Sequence, residues 1–170
     1  ETPTFEAGKY YTLVAVGYAR TAGTPRVKLQ VYEDAIPDAG SNVAFRVVNL
    51  GTGLGSVNVG VTANSTDAIP GTPTFSNVAY LGSSAYVTRP AGNAWFRVQD
   101  GTAAEIVTGN GRQAPTGAAG DPLNNLTTIG GSGQAGSVVT AFVFPRSVAG
   151  STAPSVTTPS LVFIVDKHPR

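Results

Sequence analysis

The chain has 170 residues, a formal net charge of +1 and only 12% charged residues. This length suits one domain, or one domain with a fragment of another, and it buries enough surface to fold without a metal or a disulfide. The few, scattered charges argue against binding to nucleic acid or to an anionic membrane surface. Cysteine is absent, which excludes disulfides, thiolate zinc sites and a cysteine nucleophile.

Methionine is absent as well, including at position 1. We therefore expect the chain to be a processed or excised product of an exported protein, which is secreted, at the cell surface or in the periplasm. The longest apolar runs, residues 138–144 and 161–165, have the length of strands and fall short of the ~20 residues that span a membrane. We expect no membrane span.

Two strands are predicted at the start of the chain, in residues 9–18 and 26–32. The second alternates cleanly, with Val27, Leu29 and Val31 on one face and charged or amide side chains on the other. Period-two alternation is typical of a half-buried strand. We therefore expect the apolar face of this strand pair to be covered.

The sequence of this strand pair recurs near the other end of the chain. Each copy consists of two β-rich runs joined by a loop, and each closes on Asp-x-x-Pro. The identical residues include Ala7, Gly8 and Thr12, which recur 128 positions later, and Asp34 and Pro37, which recur 132 positions later. Self-similarity of this kind indicates tandem units. The second copy follows a whole domain and the first does not, so we expect the first copy to be the closing strands of a preceding unit.

A turn at residues 36–41 predicts the boundary between a partial β repeat, residues 1–40, and a complete unit, residues 41–170. About nine strands are expected in the complete unit, at residues 42–50, 57–61, 75–81, 85–88, 95–99, 105–108, 123–129, 138–144 and 161–165. Residues 109–121 form a predicted loop, and a loop of this length is functional or mobile. The pattern predicts an all-β fold, most simply a two-sheet sandwich.

No segment of the chain has the pattern of a catalytic site. The glycine-rich residues 51–56 lead into a predicted strand, whereas a phosphate-binding loop needs a helix N-terminus. The single histidine, His168, lies two residues from the end, where catalytic geometry is hard to hold. Glu33 and Asp34 are the only adjacent carboxylates, and neighbours on a strand point to opposite faces. We predict that the protein is not an enzyme and has no cofactor.

Several other residues have two possible roles. Asp121 and the Asn124-Asn125 pair carry oxygens that suit calcium, and they are equally typical of an ordinary loop. Arg46 and Arg97 lie in the middle of predicted strands, where we expect each to extend across a sheet surface and pair with a carboxylate. Trp95 and Phe96 are adjacent on a strand, so one of them should face the core and the other outwards.

The order of several motifs resembles the bacterial and archaeal envelope domains known as domain of unknown function 4397. The matching residues are Arg46, Val47, Val48 and Asn49; Tyr86 with Pro90, Ala91 and Gly92; and Ala7, Gly8, Tyr11 and Thr12. The second copy of the last motif has Val139 in place of the tyrosine, and Asn58 stands where that family usually has Asp. The resemblance implies an immunoglobulin-like antiparallel β-sandwich, export and a tandem arrangement. It implies no catalytic residue.

Two functional hypotheses remain. The first is a non-catalytic structural or adhesive module, a subunit of a cell-envelope assembly whose partners are other protein subunits or further copies of itself. The second is a glycan- or peptide-binding module that uses the 109–121 loop and nearby aromatic side chains. The residues predicted to form these surfaces are Tyr10, Tyr11, Val27, Leu29, Val31, Trp95 and Arg112.

Overall fold

Ten β-strands are found in the described residues, and the all-β prediction is confirmed. The structure is a computed structural model of the chain, which divides into two compact units, Glu1–Pro37 and Asp38–Arg170. The residues that the structure describes are 3–18, 24–107, 110–121, 123, 126–147 and 156–169. Within these residues, no helix has the length and hydrophobicity that crossing a membrane requires.

The first unit is built on a β-hairpin of two strands, β1 (Tyr11–Val16) and β2 (Lys28–Glu33). The strands pair antiparallel along their whole length. Directly opposed residues of such a pair have their side chains on the same face. Leu13 and its partner Val31 therefore share one face of the hairpin.

Eight strands in two sheets form the second unit. They are β3 (Asn42–Asn49), β4 (Val57–Thr62), β5 (Phe75–Val78), β6 (Val87–Pro90), β7 (Trp95–Gln99), β8 (Arg112–Gln113), β9 (Val138–Phe144) and β10 (Ser160–Lys167). The first sheet has the order β10-β9-β3-β6 and the second has the order β5-β4-β7-β8.

The inner faces of these two sheets enclose one hydrophobic core. Val47 and Val139 contribute to it from the first sheet and Val59 from the second, and all three are fully buried. Phe96 of β7 contacts Phe163 of β10 edge to face, with ring centroids 5.1 Å apart. Edge-to-face packing is a favoured aromatic geometry. The second unit is therefore a β-sandwich, as predicted, and its immunoglobulin-like character stays a prediction.

One strand pair departs from the predicted antiparallel arrangement. β3 and β9 run parallel, from Ala44 opposite Val138 to Asn49 opposite Val143. A parallel pair needs a long crossover connection, and here the crossover contains all four strands of the second sheet. As a result β9 is paired on both edges, with β3 and with β10.

The structure also corrects three predicted elements. The described residues of 123–129 form no strand and make only isolated bridges, from Ile129 to Ala118 and from Leu126 to Asp121. Residues 105–108 contribute one bridge, from Glu105 to Gln99, and Thr108 lies outside the described residues. The predicted loop 109–121 contains β8. Leu123, Leu126 and Ile129 are spaced by three and are exposed, so they do not have the period-two pattern of a half-buried strand.

Candidate assembly site

The apolar face of the hairpin β1–β2 is open to solvent. Leu13, Val27 and Leu29 on this face are 49%, 51% and 55% exposed. Val16 and Tyr32, which point the opposite way, are buried. The alternation predicted for the second strand is present, but the face that carries Leu13 and Leu29 is the exposed one.

Five of the predicted surface residues lie in this first unit. Val27, Leu29 and Val31 share the exposed face by their spacing along the chain, and Tyr11 lies at one end of it opposite Glu33. Tyr10 precedes β1 and is 66% exposed. The structure therefore brings Tyr11, Val27, Leu29 and Val31 together on one face.

The hairpin β9–β10 has the same register as β1–β2. A shift of 128 positions for β1 and 132 for β2 places every residue pair of the first ladder on a pair of the second. Leu13 opposite Val31, for example, becomes Ala141 opposite Phe163. These two offsets are those of the sequence repeat, so the repeat in sequence corresponds to a repeat in backbone pairing.

The turn before each hairpin is also the same. Gly8 has a φ of +80° and Gly136 a φ of +84°, a left-handed conformation that favours glycine. The amide of Lys9 donates to the carbonyl of Glu6 at 3.4 Å, and the residues 128 positions later make the same bond at 3.2 Å. The repeated Ala-Gly is therefore explained by a backbone requirement of the turn.

A threonine–aspartate hydrogen bond crosses each hairpin. Thr12 Oγ1 donates to Asp34 Oδ2 at 2.7 Å, and Thr140 Oγ1 donates to Asp166 Oδ2 at 2.5 Å. A hydroxyl that donates to a carboxylate makes a short, charge-assisted bond. The repeated Thr and Asp of the sequence are thus partners in both copies.

In the second unit this pair holds a buried arginine of the neighbouring strand. Nε of Arg46 donates to Oγ1 of Thr140 at 2.8 Å, and the guanidinium lies 5.0 Å from the centroid of the Tyr86 ring. The hydroxyl of Tyr86 donates to Asp166 at 3.3 Å. Arg46 is only 3% exposed, so its charge needs compensation inside the protein. The carboxylate expected for Arg46 is that of Asp166, linked through Thr140.

The face that is open in the first hairpin is core in the second. Leu29 is 55% exposed, whereas its counterpart Leu161 is 5% exposed. In the second hairpin this face packs against the sheet that contains Phe96. The matched pairs on this face are Leu13 and Ala141, Ala15 and Val143, Leu29 and Leu161, and Val31 and Phe163.

Two neighbours distinguish the second hairpin from the first. β9 pairs with β3 on its second edge, while β1 pairs only with β2 among the described strands. The core face of β9–β10 is covered by an opposing sheet, while the matching face of β1–β2 is exposed. The first hairpin therefore has the geometry of a closing hairpin without the neighbours of one.

An exposed ion cluster lies at the open end of the first hairpin. Nζ of Lys9 is 3.0 Å from a carboxylate oxygen of Glu6 and 3.1 Å from one of Glu33. Hydrogen bonds to Glu6 and then Glu33 raise the pKa of Lys9 above its usual value. The cluster fixes the ends of β1 and β2 but contributes little stability, because all three groups are exposed.

The remaining predicted surface residues, Trp95 and Arg112, lie in the second unit. Phe96 faces the core and Trp95 is partly exposed, so the two adjacent residues face opposite ways as predicted. Trp95 pairs with Gln113, and the exposed Arg112 pairs with Phe96. The two residues are therefore on adjacent strands without being direct partners, and Gly109 of the predicted loop lies outside the described residues. The glycan- or peptide-binding hypothesis stays a prediction.

The second unit also has an open cleft of about 250 Å³ at one side of the sandwich. Its lining includes Phe45, Phe75 and Arg89. Burial lowers the pKa of Arg89 from its usual value. Neither Trp95 nor Arg112 lines this cleft, so it does not support the predicted ligand site.

The other polar residues that the sequence brought forward have structural contacts. Nδ1 of His168 accepts the amide of Gly130 at 2.8 Å. Arg97 makes a two-point ion pair with Glu105, at 2.5 and 2.6 Å, as predicted for a mid-strand arginine. Asp121 accepts the amide of Leu123, and residues 124 and 125 lie outside the described part. Across the residues that are described, no cluster of three acidic or histidine side chains is suited to hold a metal.

The threonine–aspartate pairs and Arg46 were not predicted as site residues. The signal that points to them is the identity of Thr12 with Thr140 and of Asp34 with Asp166 at the two repeat offsets. A comparison of the chain with protein-family models and with curated proteins gave no match. The resemblance to the envelope domain family therefore stays a prediction.

Proposed function

We propose that this protein is a non-catalytic structural or adhesive module of an exported assembly in the cell envelope. It joins other protein subunits, or further copies of itself, through strand or sheet packing on the hairpin β1–β2. The observation that carries this proposal is the contrast between Leu29, which is 55% exposed, and its counterpart Leu161, which is 5% exposed in the same hairpin geometry.

The energetic reason is the apolar surface that the first hairpin leaves in water. A two-stranded hairpin is marginally stable by itself, and burial of an aliphatic side chain contributes about 1.5–3 kcal/mol. Leu13, Val27 and Leu29 are each about half exposed, so about half of the burial free energy of each side chain is still available on binding a partner. An exposed apolar strand is also a site at which other strands associate.

The test is the size of the purified chain, because a second copy is then the only other polypeptide in the solution. We expect concentration-dependent association at micromolar concentration in sedimentation velocity. The double variant Leu13→Glu, Leu29→Glu should be monomeric, since a charge in the interface carries a large desolvation penalty.

The matched control is Val162→Glu, Ile164→Glu. These side chains are 46% and 48% exposed, which is close to the exposure of Leu13 and Leu29. They lie on the outer face of β10, whereas the counterparts of Leu13 and Leu29 lie on the core face. We expect this control to associate like the unmodified chain. A chain that stays monomeric, with the Leu13 and Leu29 changes having no effect, would contradict the proposal.

A further inference from the structure

The second unit shows which strand a hairpin of this type receives. There β9 is flanked by β10 and by β3, and Arg46 of β3 donates to Thr140. β1 has the register of β9 and the same threonine–aspartate bond. In the part of the chain that the structure describes, β2 is its one paired strand.

We propose that the outer edge of β1 binds a parallel β-strand of a partner polypeptide that carries an arginine opposite Thr12. This inference rests on the proposed function, because it specifies the element of the partner that the hairpin receives. The strand has the pattern of β3, in which Phe45 and Val47 face the core and Arg46 points to the other face.

Charge complementarity favours an arginine at that position. Asp34, which accepts the hydrogen bond of Thr12, is 8% exposed. The attraction between its carboxylate and a neighbouring guanidinium is therefore little screened by water. In the second unit the matched carboxylate is linked to Arg46 through Thr140. Arginine suits such a place better than lysine, because its guanidinium is planar and weakly hydrated.

The hairpin β1–β2 also offers backbone acceptors for such a strand, at positions equivalent to those that bind β3 in the second unit. In the second unit the amide of Ala44 donates to the carbonyl of Ser137, and the amide of Leu50 donates to the carbonyl of Val143. The counterparts of these two carbonyls are those of Lys9 and Ala15. A strand that pairs with β1 in the register of β3 therefore has two backbone amides that donate to the carbonyls of Lys9 and Ala15.

The partner differs from a folded copy of this chain. β3 is already paired on both edges, with β9 and with β6, so a folded copy does not offer it. The partner is a sandwich unit that lacks its own closing hairpin. Its opposing sheet would then cover the exposed face that contains Leu13 and Leu29.

The probe for this inference is a labelled synthetic peptide of residues 41–50, titrated with the whole chain. We expect binding, with slower amide exchange in β1. An Arg46→Ala peptide should bind about tenfold more weakly, or worse, because it loses a hydrogen bond to a charged network. In the chain, Asp34→Asn should weaken binding of the unmodified peptide to a similar degree, while Gln30→Ala, on the same face of β2, should leave it unchanged.

Three outcomes would overturn the inference: absence of binding, exchange protection confined to the second unit, or equal affinity of the two peptides for the unmodified chain. The peptide comparison holds even if Asp34→Asn disturbs the hairpin, because it uses the unmodified chain. If association through Leu13 and Leu29 is observed without peptide binding, the inference fails and the proposed function stands. If the peptide binds while the chain stays monomeric in every variant, the self-association expected from the proposed function fails and the edge site stands.

Discussion

The hairpins β1–β2 and β9–β10 have the same pairing and opposite exposure. Both begin at a glycine with positive φ, both pair in one register, and both carry a threonine–aspartate bond. The second hairpin has β3 at its edge and a sheet against its apolar face, and the first has its apolar face in water. Pairing is thus a local property of these sequences, whereas burial depends on what else packs against them.

The largest expected effect comes from the same substitution made at matched positions. Leu161→Ala should lower the free energy of unfolding of the second unit by about 2–4 kcal/mol, because it leaves a cavity in the core. Leu29→Ala should change stability by less than about 1 kcal/mol, because Leu29 is half exposed. Denaturant unfolding and native-state amide exchange measure the change in unfolding free energy for each variant. Equal costs at the two positions would mean that the first hairpin is as well covered as the second.

A smaller effect is expected from the threonines. Thr140→Val removes a donor to Asp166 and an acceptor of Arg46 and should cost about 2–3 kcal/mol, since both bonds involve charged groups. Thr12→Val removes only the bond to Asp34 among those seen for this hydroxyl and should cost about 1–2 kcal/mol. Amide exchange in β9 and in β1 reports the two losses separately. Thr140→Ser keeps the hydroxyl and should restore most of the stability, which a purely steric effect would not predict.

The smallest effect is the response to pH, which should have opposite signs at the two hairpins. The pKa of Lys9 is raised by Glu6 and Glu33, so its contribution is complete below the unfolded pKa and is lost as pH rises through the folded one. The pKa of Asp38 is lowered by the amide of Gly40 and then by Lys167 of β10, so its contribution is lost as pH falls through the folded value.

NMR titration of Lys9 and Asp38 checks both directions. These groups are exposed, so added salt should weaken the displacement of each pKa. The Lys9 pKa should fall towards its ordinary value in Glu6→Gln, which removes the larger cause, and fall further in the double variant Glu6→Gln, Glu33→Gln. An unchanged raised pKa in the double variant would contradict this prediction.

Parts of the fold were predictable because they depend on neighbours along the chain. The alternation of Val57, Val59 and Val61 identified β4, and adjacency on a strand predicted that one of Trp95 and Phe96 faces the core. The repeated glycine and Thr–Asp positions marked two equivalent hairpins. The strand predicted at residues 123–129 was wrong, because Leu123, Leu126 and Ile129 recur every third position and are exposed, so they do not form the apolar face of a strand.

The sequence alone determined the strand alternation, the hairpin register and the turn at Gly8, because each depends on contacts between residues close in the chain or on the conformational range of one residue. Only the tertiary structure decided that β3 lies parallel to β9 and that Arg46 reaches Asp166 through Thr140. It also decided that the apolar face of β9–β10 is core while that of β1–β2 faces water. These features depend on which distant segments meet, and the positions that the two hairpins share do not specify those segments.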